Sequence, residues 1–301
     1  MKFPKDFIEA WKRFRELRKN PEIAKLLDED TAKMSFAQMW FTFGRVEPAE
    51  DSYLISFHNH SDGNNYALEQ IARVAAKRGY KVFGVSDHNR DDKFNEKRVI
   101  YFPFGDGIYL VRGNEVGCYK NGKAQGDILT VGYNGRIPSF EPLEDIVQRA
   151  KEQDSIIIAT TPFNELMGGI GEEKLSQIIP YLHAIEVFNA TSNMAFLRYA
   201  DALAKIFAQK FGITRIYDED AHTLDEIGLA GFSISKRHLP SLRMPPEEIE
   251  CSPQVLINEL KTALSQGNVA NNQGHYMPLA SVSYSAKSKT LSHKQAILKP
   301  K

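Results

Sequence analysis

The feature that most constrains this chain is an alternation that begins near Tyr53. Short apolar, β-branched runs recur with helical segments between them: YLISF at 53–57, KVFGVS at 81–86, IYLVRGNEV at 108–116, DILTVGY at 127–133, SIIIAT at 155–160, AIEVFNA at 184–190 and ITRIYDED at 213–220. Helical periodicity fits 66–77, 142–153 and 194–210, with a further helix at 253–265. Runs of this kind are too apolar to face water on one side. Their alternation with helices argues for parallel strands joined by crossover helices and covered on both faces. Seven strands approach what a β/α barrel needs. The 301 residues, 42% of them hydrophobic, suffice for a large core.

The flanks read differently. Phe7, Trp11, Phe14 and Leu17 recur at helical spacing and predict an amphipathic helix ending before Pro21. A second helical stretch runs from Pro21 toward Gly44 and carries the cluster Phe36, Trp40, Phe41 and Phe43, expected to dock on the body of the chain or on a partner. From Asn271 the sequence is a polar Ser/Lys/Asn-rich tail. The chain thus divides into an N-terminal helical extension at 1–50, a barrel at 51–270 and a tail at 271–301, with no internal repeat of fixed period.

Composition excludes several classes. Lysine plus arginine (38) balance aspartate plus glutamate (38), so no overall basic field holds a long polyanion, and only a local patch, from Lys77, Arg78, Lys81 or the first helix, would serve a short oligonucleotide. Cys118 and Cys251 are far apart and form no C-x-x-C pair; both are expected to be ordinary buried thiols. No apolar run in the sequence approaches the roughly 18 residues of a membrane span. A soluble, cytoplasmic protein with no membrane partner is expected.

The histidines carry the chemistry. His58 and His60 stand two apart where the first strand ends, so their rings can close on one ion. Alone, such a pair is weak, because eight histidines in one chain produce it by chance readily enough. The second strand, however, ends in Ser86-Asp87-His88-Asn89, the third carries Glu115, and the seventh ends in Asp220-Ala221-His222. In a barrel those ends meet at one face, where active sites of such folds lie. Imidazole and carboxylate donors without thiolate suit zinc, manganese or iron. His183, His238, His275 and His293 are read as ordinary surface or core residues.

The blocks FHNHSDGN (57–64), GVSDHN (84–89), GNEV (113–116), IEVFN (185–189) and DEDAH (218–222), in this order, resemble those of the polymerase-and-histidinol-phosphatase (PHP) family of metal-dependent phosphoesterases. The likeness extends over about 53–269 and includes a closing helical segment, PEEIECSPQVLINELKTALSQGN. It implies a distorted seven-stranded β/α barrel holding one to three divalent transition ions. By this resemblance His58, His60, Glu115 and Asp220 hold one ion, with Glu115 able to bridge to a second. His88 and His222 hold another, completed by Asp62. Asp87 and Glu219 are expected to accept N–H bonds that fix the imidazoles. Two positions depart from the family: Asp127 stands where a histidine is usual before the fourth strand's Ile-Leu pair, and Ala159-Thr160-Thr161-Pro162 replaces an Ala-His-Pro. Asp127 can still offer an oxygen, whereas a neutral threonine hydroxyl is a weak ligand.

The activity implied is hydrolysis of a phosphoester by metal-activated water, His58, His60, Glu115 and Asp220 being catalytic through the metal they hold. Asn89, Arg90 and Asn189 are expected to touch the substrate, a small phosphomonoester, a nucleotide or a short oligonucleotide end. The alternative is a degenerate barrel that binds a phosphorylated ligand or partner without turnover. An amidohydrolase-type reading expects a metal-bridging lysine near the middle strand, which the sequence lacks.

Overall fold

The computed structural model describes residues 12, 15–31, 44–61, 65–90, 92–164, 168–191, 198–271 and 274–275. Helix α1 (Pro21–Thr31) precedes β1 (Ser52–Ser56), α2 (Leu68–Lys77), β2 (Tyr80–Val85), β3 (Val99–Phe102), β4 (Ile108–Lys120) and β5 (Lys123–Val131). Then come α3 (Leu143–Glu152), β6 (Ile156–Ala159), α4 (Glu172–Ile178), β7 (Ala184–Asn189), α5 (Arg198–Phe211), β8 (Arg215–Asp218) and β9 (Phe232–Ser235). Helices α6 (Pro246–Cys251) and α7 (Gln254–Ser265) and the short β10 (Ala270–Asn271) complete the order. The predicted helix toward Gly44 is present as α1; residues 32–43, with the aromatic cluster, and the helix expected around Phe7 to Phe14 lie outside the described residues.

All strands join one sheet in the order β10-β9-β1-β2-β4-β5-β6-β7-β8, with β3 branching from β4. Each of the seven expected segments overlaps a strand, but among the described residues the sheet has ten, so the seven-strand count is corrected. The additions β3, β9 and β10 are four residues long or fewer, too short to show a period. The all-parallel expectation is corrected too: β5 runs antiparallel to both β4 and β6, and β9 antiparallel to β1. The β4–β5 link is a hairpin turning at Asn121-Gly122, both with positive φ (54° and 74°), the conformation a tight two-residue turn requires. Two antiparallel steps restore direction, so β6, β7 and β8 run with β1, β2 and β4 and their C-terminal ends share one rim. Past that rim a parallel bridge between Asn59 and Ala221, with His60 N–H donating to Ala221 O at 2.8 Å, brings the two sides together, and the sheet is a nearly closed, barrel-like surface.

Its interior is apolar below the rim. Ile55, Phe57, Val82, Tyr109, Val111, Leu129, Val131, Ile158 and Ile216 fill it, and α7 closes the far end with Leu256, Ile257, Leu260 and Leu264. Two outer layers complete the packing. Ile71, Ala72 and Ala75 of α2 cover Phe83 and Leu110 on one side, while α3 and α5 cover Ile128, Ile157 and Ile185 on the other. Period-two alternation then decides the site: Tyr109 and Val111 of β4 face inward, and two steps further the same face carries Glu115. Cys118 is buried as expected, but Cys251, at the end of α6, is exposed, which corrects that reading.

Candidate metal centre

The residues following β1, β2 and β8, together with Glu115 of β4, converge above this apolar interior. His58, His60, His88, Glu115, Asp220 and His222 are each no more than 4% exposed. His58 Nε2 lies 3.3 Å from Glu115 Oε1 and 3.7 Å from Asp220 Oδ1. His60 Nε2 lies 3.2 Å from Asp220 Oδ1 and 3.6 Å from Glu115 Oε2, and His88 Nε2 lies 3.0 Å from Glu115 Oε2. The His60 ring stacks against those of His88 and His222, at centroid separations of 4.2 and 4.3 Å, and those two rings lie 5.6 Å apart and tilted to each other. Donor atoms of His58, His60 and Glu115 lie within 4.8 Å of one another, as do those of His60, His88 and His222, so His60 belongs to both groups.

Local structure explains the convergence. Asp218, at the end of β8, accepts Ser56 Oγ–H at 2.5 Å and Phe57 N–H at 2.8 Å, fixing the backbone just before His58. Ser86 Oγ–H donates to Phe57 O at 2.5 Å and Asn59 Nδ2 donates to Gly84 O at 3.3 Å, which ties the end of β1 to that of β2. An isolated bridge pairs His88 with Glu115, and Asn89, at φ 56°, donates its N–H to Glu115 O at 2.9 Å. Asp220 also has positive φ, 53°, and its carbonyl lies 2.8 Å from His222 Nδ1, which turns His222 Nε2 toward the group.

Charge and burial oppose each other here. Burial would lower His58, but Asp220, Glu115 and Glu186 outweigh it and hold the imidazole well above its ordinary value. Glu115, which burial would raise, is held well below the carboxylate range by His58 and His88. Burial, and then His88, push His60 down. Burial raises Glu186 and Asp218. A buried carboxylate-rich cluster of this kind is costly without a compensating cation. Among the described residues, His58 Nε2, both ring nitrogens of His60 and Glu115 Oε2 are buried and make no hydrogen bond. Buried polar atoms in folded proteins are nearly always satisfied, and His58, His60 and Glu115 each offer an atom to one close donor group. The donor set therefore fits one or more divalent metal ions.

Several expected roles change. Asp87 accepts the N–H and hydroxyl of Ser61, the latter at 2.5 Å, so it fixes the loop after His60. Glu219 accepts the N–H groups of Gly228 and Leu229 at 2.6 and 2.9 Å and the Tyr80 hydroxyl at 3.3 Å. Both carboxylates thus anchor loop backbone where imidazole partners were expected. Asn189 is fully buried, and its amide is engaged by Glu186, Asp220 and Thr191. Asn89 and Arg90 are half-buried just past His88, and the Asn89 Oδ1 accepts Gly117 N–H at 2.8 Å. Asp62 lies outside the described residues. Asp127, paired with Gly117, stands two pairs beyond the Glu115–Leu129 pair and belongs to neither donor group. Thr161, with φ 35°, is buried and donates its N–H to Glu186 Oε2 at 3.0 Å.

Sequence reasoning missed Glu186 and Asp218. Glu186 sits in the middle of AIEVFN, whose six residues are all buried. A lone carboxylate in a fully apolar strand was the signal that could have found it. Of the remaining histidines, His183, His238 and His275 lie away from the cluster, bonded to Ile157, Arg237 and Arg45, and His293 is outside the described residues.

Fold and site together define a barrel-like α/β protein with a buried imidazole–carboxylate cluster. The chain is similar to the crystal structure of a two-domain protein from Bacteroides vulgatus containing a predicted PHP-like metal-dependent phosphoesterase, with a TM-score of 0.51 and 15% identity, covering 76% of this chain and 68% of that one. It is also similar to PsfC from Pseudomonas syringae, with a TM-score of 0.49 and 15% identity over 81% of this chain and 99% of that one. The first likeness shows a shared fold and agrees with the motif resemblance. Among curated sequences an uncharacterized protein of Methanocaldococcus jannaschii is 28% identical over 120 residues, 40% of this chain and 64% of that protein, so this chain spans under two-thirds of its relative. No protein-family model matches. Among the described residues, no helix is long and apolar enough to cross a membrane.

Proposed function

We propose that the protein is a metal-dependent phosphoesterase that hydrolyses a small phosphomonoester, a nucleotide or the end of a short oligonucleotide. The observation that carries the reading is the convergence of His58, His60, His88, Glu115 and His222 donors within 4.8 Å in two groups, with His58 Nε2, both ring nitrogens of His60 and Glu115 Oε2 buried and unsatisfied among the described residues. His58, His60, Glu115 and Asp220 would hold one ion, and His88 and His222, with Asp62, another. Zinc, manganese or iron suits these donors. When bound, such ions supply positive charge for phosphoryl oxygens and lower the pKa of a coordinated water.

The chain's own groups do the rest. Glu115 turns one oxygen to His58 and the other to His88, which places it between the two positions. The packed rings of His60, His88 and His222 are themselves buried. Asn89 and Arg90, which directly follow His88 and are half-buried, would be the groups that meet phosphate oxygens. Of the expected nucleic-acid patch, Lys81 donates to the carbonyls of Asp106 and Gly107 at 2.7 and 2.9 Å.

A second reading is a barrel that binds a phosphorylated ligand without turnover. It is favoured by Asp127 lying outside the donor groups and by the engagement of Thr161 with Glu186. One experiment separates the two: elemental analysis of protein purified without chelator, then phosphate release from a phosphomonoester, a mononucleotide and short oligonucleotides with added manganese or zinc, on wild type and His58→Ala. Metal-dependent release lost in the variant supports the enzyme. Bound metal without turnover supports the binding module, and absence of any transition metal refutes both.

A further inference from the structure

We propose that Glu186 and Asn189, both on β7, form a positioning clamp that decides which atoms of His58 and Asp220 are offered to a metal ion. The inference rests on the metal-site reading above and deepens it. His58 and Asp220 come from opposite ends of the chain's barrel portion, and each has two atoms that could ligate. One atom of each is engaged by β7. His58 Nδ1 lies 3.3 Å from Glu186 Oε2, while its Nε2 faces Glu115 and Asp220. Asp220 Oδ2 accepts from Asn189 Nδ2 at 3.4 Å and Thr191 Oγ at 3.2 Å, while its Oδ1 faces His60 and His222 at 3.2 and 3.5 Å.

Asn189 links the two arms. Its Nδ2 donates to Glu186 Oε1 at 2.9 Å as well as to Asp220, and its Oδ1 accepts Thr191 N–H at 2.8 Å, which fixes the orientation of the amide. The second bond to Glu186 Oε2 comes from Thr161 N–H at 3.0 Å. A carboxylate held at both oxygens cannot rotate away from His58. The neutral imidazole has one N–H, and an acceptor at Nδ1 places it there, leaving the Nε2 lone pair for an ion. Residues that act this way on metal ligands change affinity by about 10- to 100-fold when removed.

The test uses the full chain loaded with zinc. Zinc affinity is measured by competition with a chromophoric chelator for wild type, Glu186→Ala, Glu186→Gln and Asn189→Leu, alongside 1H–15N spectra of the imidazole N–H groups. Glu186→Ala is expected to weaken zinc by about 10- to 100-fold and to remove one hydrogen-bonded Nδ1–H resonance. Glu186→Gln, which keeps an acceptor oxygen, is expected to recover part of both, and it serves if the alanine variant does not fold. Asn189→Leu should weaken zinc with the His58 resonance shifted. If the variants bind zinc within about twofold of wild type and the resonance persists, the clamp is refuted while the metal site stands. If wild type itself binds no zinc, manganese or iron, the metal-site reading falls, and the clamp with it.

Discussion

Replacing Gly84 by alanine tests the link between the fold and the site. Gly84 lies in β2 beside the end of β1, and its φ is not in the left-handed region, so its backbone is open to any residue. Space is the obstacle. A Cβ there would stand 2.5 Å from Phe57 O and 2.7 Å from Phe57 Cα, against the 3.4–4 Å of ordinary contact. Both are backbone atoms, so no side chain can swing aside. The Phe57 carbonyl and N–H are also fixed, by Ser86 and Asp218. Overpacking of a rigid core costs about 1–3 kcal/mol, and this site belongs at the upper end. Loss of glycine's freedom in the unfolded chain returns about 0.4–1 kcal/mol. The net destabilisation is therefore about 2 kcal/mol, or a fall in Tm of about 4–8 °C. Relief of the clash moves the Phe57–His58 segment, so metal affinity should fall with stability. Urea unfolding and chelator competition on wild type and Gly84→Ala measure the two. Stability within about 0.5 kcal/mol of wild type would refute the claim that β1 and β2 are locked backbone to backbone at the rim.

Three further outcomes follow from named groups. Asp218→Ala leaves Ser56 Oγ, Phe57 N–H and Glu219 N–H without their buried acceptor and should cost about 3–5 kcal/mol in urea unfolding, with Asp218→Asn costing less; equal effects would show that charge matters here and acceptance does not. His183, whose Nδ1 accepts Ile157 N–H at 3.0 Å, is pushed down to about 4 by burial and then by Lys261. Its folded value lies below its unfolded value, so its contribution is complete above about pH 6.5 and is lost as pH falls toward 4; the bound is about 3 kcal/mol, reduced to about 1–2 by its partial exposure. The urea midpoint of wild type should then drop more steeply than that of His183→Gln across this window, and parallel curves would refute the assignment. Thr161→His, at a φ that histidine tolerates better than most residues, should raise metal stoichiometry by up to one ion; unchanged stoichiometry would mean that the second position is misassigned.

How far the sequence could be read depends on the range over which its signals act. Buried strands declare themselves by apolar β-branched runs, so β1, β2, β4, β5, β6, β7 and β8 each overlap an expected segment. The antiparallel course of β5 has a local cause in Asn121-Gly122, a signal that the expectation of uniform crossovers passed over. The strands β3, β9 and β10 carry no comparable mark. Helix α4, of seven residues, was likewise missed, being too short for a period to register.

The same division runs through the site. The residue types and their places at strand ends, His58, His60, His88, Glu115, Asp220 and His222, were determined by the sequence, because imidazoles and carboxylates at the ends of buried strands have few structural uses and a barrel brings such ends to one rim. Their supporting partners were decided only by tertiary structure. Glu186 reaches His58 across 128 residues of sequence, and Asp218 reaches Phe57 across 161, whereas Asp87 and Glu219, adjacent to the ligands in sequence, turn to Ser61 and to the 228–230 loop. A hydrogen bond depends on distances of a few tenths of an ångström between groups that only the closed sheet brings together, and a one-dimensional pattern of burial records which side chains are inside without recording which of them meet.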